Sequence, residues 1–167
     1  ILDVSYMRFP GLFKKSDLRQ LILWTRFSVG KAKRIFTISQ ASKDDIIKEY
    51  RVQDENVVVS YPGIKLKAQM SKLKTTIQNA NLLKEKYDID GEYVLVVGTL
   101  QPRKNIIRLI EAFSRLKNDI KLVIVGKKGW MFEEILSAPK KFGAENKVKF
   151  LDSITDEELP TFYKNAL

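Results

Sequence analysis

The 167-residue chain carries 30 Lys and Arg against 20 Asp and Glu, a net charge of +10, and contains neither cysteine nor histidine. Disulfides, Cys/His zinc sites, thiol nucleophiles and imidazole bases are therefore excluded, and any chemistry must rest on Asp, Glu, Lys, Arg, Tyr, Ser or the backbone. A hydrophobic share of 44% excludes a wholly disordered basic tail, and no apolar run approaches the ~20 residues of a membrane span.

Residues 1–4 read as the end of a strand. Ser16 or Asp17 then offers a helix cap, and Leu18, Leu21, Ile22, Trp24, Thr25, Val29 and Ala32 recur at helical spacing. Residues 34–39 predict a short strand. Ser39 or Ser42 caps the next helix, with Asp44 and Asp45 expected in its first turn and Ile46, Ile47 and Tyr50 as its buried stripe. Residues 56–61 form a strand stopped by Pro62 and Gly63. Residues 65–80 are the most polar stretch and read as a connection, followed by one or two helical turns over 82–87.

A second α/β unit follows. The near-continuous apolar run 92–98 predicts a parallel strand buried on both faces. A helix presents Ile106, Leu109, Ile110, Ala112, Phe113 and Leu116 inward. Residues 121–126 repeat the strand-then-glycine pattern, and a helix over 132–142, a strand over 148–151 and a helix capped by Thr155 complete the order βαβαβα. Glu133 and Glu134, and Asp156 to Glu158, read as first-turn charges rather than catalytic dyads. This alternation implies an α/β class with Rossmann-like parallel sheets flanked by helices. Both ends read as interior to a longer chain.

The positive charge is spread: residues 1–64, 65–90 and 91–167 carry net charges of +4, +3 and +3. A nucleic-acid arm concentrates its cations, so no nucleic-acid partner is expected. In doubly wound sheets, ligands sit beyond the carboxyl ends of the strands. Gly98 ends one strand there, and Arg103 and Lys104 precede a helix start, where free amides and a positive dipole end favour a phosphate or diphosphate. A tight turn followed by two solvated cations has the same spacing. The loop Gly126-Lys127-Lys128-Gly129-Trp130 fits either a nucleotide approach or a plain turn, and Asp152 fits either a ribose contact or a capping turn.

The segments 92–105, 121–130 and 148–159, with Leu109-Ile110-Glu111-Ala112-Phe113, resemble the donor domain of group 1 (family 4) glycosyltransferases. Upstream, residues 3–10, 36–46 and 61–64 are similar to the later part of the same family's acceptor domain. The resemblance implies a GT-B architecture with both domains incomplete: 1–64 from the acceptor side, 65–80 connecting, and 81–167 from the nucleotide-sugar side. It implies retaining transfer of a sugar from a nucleotide-diphosphate donor to a hydroxyl of a glycan or lipid-linked acceptor, with no cofactor and no metal.

Carried across residue by residue, the resemblance places Gly98, Arg103 and Lys104 at the donor diphosphate, Gly126, Lys127 and Asp152 on the nucleoside side, and Asp3 on the acceptor side. Leu2 stands where members often carry His, and Pro62 where Asn is common. The family's acidic donor-sugar motif is expected beyond Leu167, so no catalytic residue is assigned within the chain, and the chain by itself is expected to be inactive. A cytoplasmic location is expected, with peripheral contact at the inner face of an anionic membrane. The competing readings are a non-catalytic α/β assembly module and a basic module for anionic surfaces, membrane or nucleic acid, using Lys14, Lys15, Lys31, Lys33, Arg34 and the lysines from Lys65 to Lys74.

Overall fold

The computed structural model describes residues 1–63 and 80–167, which fall into two compact units, Ile1–Lys65 and Leu66–Leu167. The connection expected over 65–80, with its lysines, lies outside the described residues except for Ala80.

In the first unit, α1 (Ser5–Arg8), α2 (Lys15–Lys31), β1 (Ile35–Thr37), α3 (Gln40–Tyr50) and β2 (Val57–Val59) follow in order. β1 and β2 pair in parallel, Ile35 opposite Val57 and Thr37 opposite Val59. Val4, Tyr6, Val29, Ile35, Ile46 and Val57 form the core. The strand expected at residues 1–4 is absent. One backbone bond, from the Ile1 nitrogen to the Phe36 carbonyl at 2.8 Å, ties this segment to β1, and Asp3 then accepts the Ser5 N–H at 2.9 Å. That side-chain bond turns the chain into α1 before a ladder can form.

α2 starts at Lys15, so Ser16 and Asp17 lie inside its first turn rather than capping it. Ser39 does cap α3, accepting the Ser42 N–H at 3.1 Å. Asp44 and Asp45 sit past the first turn. There they serve local contacts, Asp44 with Gln40 at 2.7 Å and Asp45 with Arg8 at 3.2 Å.

The second unit contains α4 (Ala80–Tyr87), β3 (Tyr93–Val97), α5 (Ile106–Ser114), β4 (Lys121–Val125), α6 (Glu133–Lys141), β5 (Val148–Leu151) and α7 (Leu159–Asn165). The sheet order is β3-β4-β5, all parallel. Central β4 is buried on both faces, and its period-two alternation divides the core. Leu122 and Ile124 pack with Ile106, Ile110 and Phe113 of α5 and Ile135 of α6. Val123 and Val125 pack with Leu83 of α4 and Phe162 of α7.

β3 differs from its expectation. Among the described residues it pairs on one side only, with β4; Tyr93 is fully buried there and Val97 is 39% exposed. α5 ends at Ser114, which leaves Leu116 outside the helix and exposed, and Ala112 is exposed as well. Glu133 and Glu134 occupy the first turn of α6 as expected. Thr155 and Glu158 make a reciprocal pair, with the Thr155 hydroxyl accepting the Glu158 N–H at 3.3 Å and lying 3.1 Å from Glu158 Oε2. The acids 156–158 thus form the turn ahead of α7 rather than its first helical turn.

Candidate functional site

The parallel register sets the loops after β3, β4 and β5 side by side at the carboxyl end of the sheet. Pairing continues past the strand ends. Gly98 N–H donates to Val125 O at 2.9 Å, Leu100 N–H to Lys127 O at 2.9 Å, Gly129 N–H to Leu100 O at 3.0 Å and Gly126 N–H to Leu151 O at 3.0 Å. The first two loops are therefore zipped along their backbones, and the third is tied to the second at Gly126.

This seam needs glycine. A Cβ on Gly126 would stand 2.0 Å from the Gly98 carbonyl oxygen, and one on Gly129 would stand 2.7 Å from the Leu100 oxygen. The structure thus gives Gly126 a packing role against Gly98. Around Gly98 there is more space: the nearest atom to a Cβ there is Lys104 Cε at 3.7 Å, so the Lys104 side chain folds back over Gly98.

Between the seam and α5 the chain makes a single 3₁₀ turn, Pro102–Lys104. Its hydrogen bonds run from Lys104 N–H to Gln101 O and from Asn105 N–H to Pro102 O, both at 3.0 Å. Asn105 then takes a left-handed conformation, φ 54°, and α5 begins at Ile106. This pivot presents Arg103 and Lys104 immediately before the helix start, both exposed. Pro102 presets the turn, and Asn tolerates the left-handed region better than most residues.

The structure brings together Gly98, Lys104, Gly126 and Lys127 through the seam, with Asp152 on the adjoining loop after β5. Lys127 and Asp152 are exposed, and Asp152 Oδ1 accepts the Ser153 N–H at 2.9 Å, a local turn contact. Asp3 belongs to the first unit, where it shapes the entry to α1. Two features lay beyond the sequence reading. Asn105 is the pivot, and its residue type was the available signal. Gln101 is 6% exposed, and its Oε1 accepts no hydrogen bond among the described residues. A Cβ on Gly129 would stand 3.4 Å from Gln101 Cβ. Nothing in the sequence marks that burial.

A cleft at the opposite, amino-terminal end of the sheet is lined by Asp88, Lys121, Glu145, Lys147 and Lys149. Lys149 pairs with Asp88 there at 2.8 Å, holding that carboxyl below its ordinary range. The cleft contains none of the sequence-predicted site residues.

Residues 68–167 match the family model described as glycosyl transferases group 1. O-antigen chain mannosyltransferase B of Escherichia coli is 25% identical over 98% of this chain and 43% of its own length. A Campylobacter jejuni N-acetylgalactosaminyltransferase, named for a diacetylbacillosaminyl-diphospho-undecaprenol acceptor, is 32% identical over 72% of this chain and 30% of its own. The chain thus spans less than half the length of these curated relatives. Among solved structures, Anabaena HepE in complex with UDP-glucose superimposes with a TM-score of 0.63 at 21% identity, covering 94% of this chain and 42% of that one. A Rickettsia africae glycosyltransferase gives 0.62 at 19% identity, covering 81% and 37%. The fold, parallel sheets flanked by helices, is that of GT-B glycosyltransferases.

Proposed function

The chain belongs to the group 1 glycosyl transferases, and from that membership we propose that it binds the diphosphate of a nucleotide sugar on the seam between Gly98 and Gly126. The observation that carries the reading is the placement of Lys104 over Gly98, with Arg103 beside it, at the start of α5. Lys104 lies over Gly98, and Arg103 and the first amides of α5 adjoin it in sequence, a combination that favours a phosphate. As the sugar departs, negative charge grows on the diphosphate. Fixed cations then act most strongly in the transition state, which is the requirement for catalysis rather than mere binding.

Gly126, Lys127 and Asp152 border the nucleoside in this reading, and Asp3 serves the acceptor side. The reaction is retaining transfer to a hydroxyl of a glycan or lipid-linked acceptor, and Arg103 and Lys104 neutralise the leaving group without a metal. The O-antigen and undecaprenol relatives support that acceptor class. A cytoplasmic protein held peripherally at the inner membrane face completes this reading. The acids that contact the donor sugar are assigned outside residues 1–167, so these residues alone transfer no sugar.

Calorimetric titration with UDP, GDP and ADP tests the donor site. Binding of at least one, with the nucleoside alone much weaker, is expected. Failure of all three refutes the assignment, and detectable transfer by the 167-residue chain refutes its inactivity.

A further inference from the structure

Gln101 follows the residue that makes the last backbone tie of the seam, the bond from Gly129 N–H to Leu100 O at 3.0 Å. Its side chain is almost wholly buried, and its Cβ lies close to the backbone of the second loop at Gly129. The amide head has no matching structural use. It makes no capping bond to the turn Pro102–Lys104 that it precedes, and among the described residues its Oε1 accepts no hydrogen bond. An acceptor buried without a donor lowers stability, whereas an apolar side chain of similar shape does not. Departures of this kind concentrate at functional sites.

A donor stands three residues on. The Lys104 N–H donates to the Gln101 carbonyl at 3.0 Å and closes the 3₁₀ turn. Residues three apart lie above one another in such a turn, so the two side chains leave the backbone from adjacent points. Lys104 reaches back over Gly98, and among the described residues its ammonium forms no ion pair. An ammonium carries three donors, so one given to Gln101 leaves two for phosphate oxygens. The terminal torsion of a glutamine amide is soft, so Oε1 turns toward the ammonium while the packed stem stays in place. An ionised diphosphate offers only acceptors, and Gln101 therefore serves it through the cation rather than by touching it.

We propose that Gln101 is a positioning residue of the donor site: its Oε1 accepts a hydrogen bond from the Lys104 ammonium and fixes that cation for the diphosphate. Holding a flexible lysine in place removes part of the ordering cost from binding. The inference rests on the donor-site reading above.

The test is a cycle of Q101M, K104A and Q101M/K104A in the full chain, titrated with UDP, GDP and ADP and with their nucleosides, beside urea unfolding. Methionine keeps a similar volume and removes the acceptor. Q101M should be at least as stable as wild type, yet bind the diphosphate at least about tenfold more weakly, with nucleoside affinity within about twofold. In the K104A background, Q101M should change diphosphate affinity by less than about twofold, because no ammonium remains to be held. Where K104A binds too weakly to titrate, the opposite signs of stability and affinity in Q101M decide. A loss of equal size with and without Lys104, a loss of stability that parallels the loss of affinity, or wild-type affinity in Q101M overturns the proposal and leaves the donor site standing. Should Q101M fail to fold, Q101L repeats the measurement, and failure of both assigns the amide to packing and overturns the proposal. Failure of all three diphosphates to bind wild type overturns the donor-site reading and this inference together.

Discussion

Gly126 and Gly98 touch backbone to backbone: a methyl on Gly126 would lie 2.0 Å from the Gly98 carbonyl oxygen and 2.6 Å from its carbon. Neither atom belongs to a side chain that can rotate away. Gly126→Ala must therefore separate the loops after β3 and β4, and we expect it to cost about 3 kcal/mol or more of unfolding free energy. A urea midpoint lowered at unchanged slope is the readout. Gly30, near the end of α2, has nothing within 4 Å of a Cβ, so Gly30→Ala gains up to about 1 kcal/mol by helix propensity. Equal effects from the two substitutions would remove the seam argument.

The seam bears on the donor site through Lys104. Lys104→Ala and Arg103→Ala each remove a cation from the proposed diphosphate contact without touching the loop backbone. By comparison with lost oxyanion donors, each should weaken diphosphate binding by about 2–4 kcal/mol. Affinity for the matching nucleoside should stay within a few-fold. Titrations of nucleoside and nucleoside diphosphate against both variants separate the terms, and a parallel loss of both affinities counts against a phosphate role.

Alternation of apolar runs with amphipathic stretches made the second unit's order readable, because β4 is buried on both faces from Leu122 to Val125 and only its first residue, Lys121, is polar. β3 carries an equally apolar run, but among the described residues it pairs with β4 alone, and residues 93–97 do not show how many neighbours a strand has. Residues 1–4 looked like a strand for the same reason; the competing side-chain bond from Asp3 decided otherwise. Asp44 and Asp45 suit a helix start, and only the tertiary contact with Arg8 shows where Asp45 is used. In the site, the glycines were visible as candidates, whereas the reason for Gly126, a neighbouring backbone two strands' pairing away in sequence, required the register.

Tyr93 joins β3 to α7, its hydroxyl donating to the Phe162 carbonyl at 2.7 Å within the core. Tyr93→Phe leaves that carbonyl without its donor and should cost about 1–2 kcal/mol. Burial pushes the Tyr93 phenol up to about 12. A raised folded value means that its contribution is complete below the unfolded value, about 10, and is lost as pH rises toward 12. Wild type should lose stability across that window more steeply than Tyr93→Phe in denaturant titrations, and matching alkaline limbs would contradict the assignment.

Glu158 tests the opposite limb. Its carboxylate accepts Lys86 Nζ at 2.6 Å and the Tyr87 hydroxyl at 2.9 Å, and Thr155 Oγ1 lies at 3.1 Å. The Lys86 bond is the largest influence holding this carboxyl below its usual range, against a smaller upward push from burial. A lowered folded value gives stability that is present above the unfolded value, about 4.3, and is lost as pH falls through the folded one. Glu158→Gln keeps the size of the side chain but replaces one acceptor oxygen with a donor amide, which cannot face Lys86 or Tyr87 favourably. At pH 7 the variant should melt a few degrees lower than wild type. That gap should close as acid protonates Glu158, because the wild type then also presents a neutral group to Lys86. Calorimetric melts at pH 7, 5 and 3 follow the gap directly, and a difference that persists unchanged to pH 3 would assign the effect to packing rather than charge.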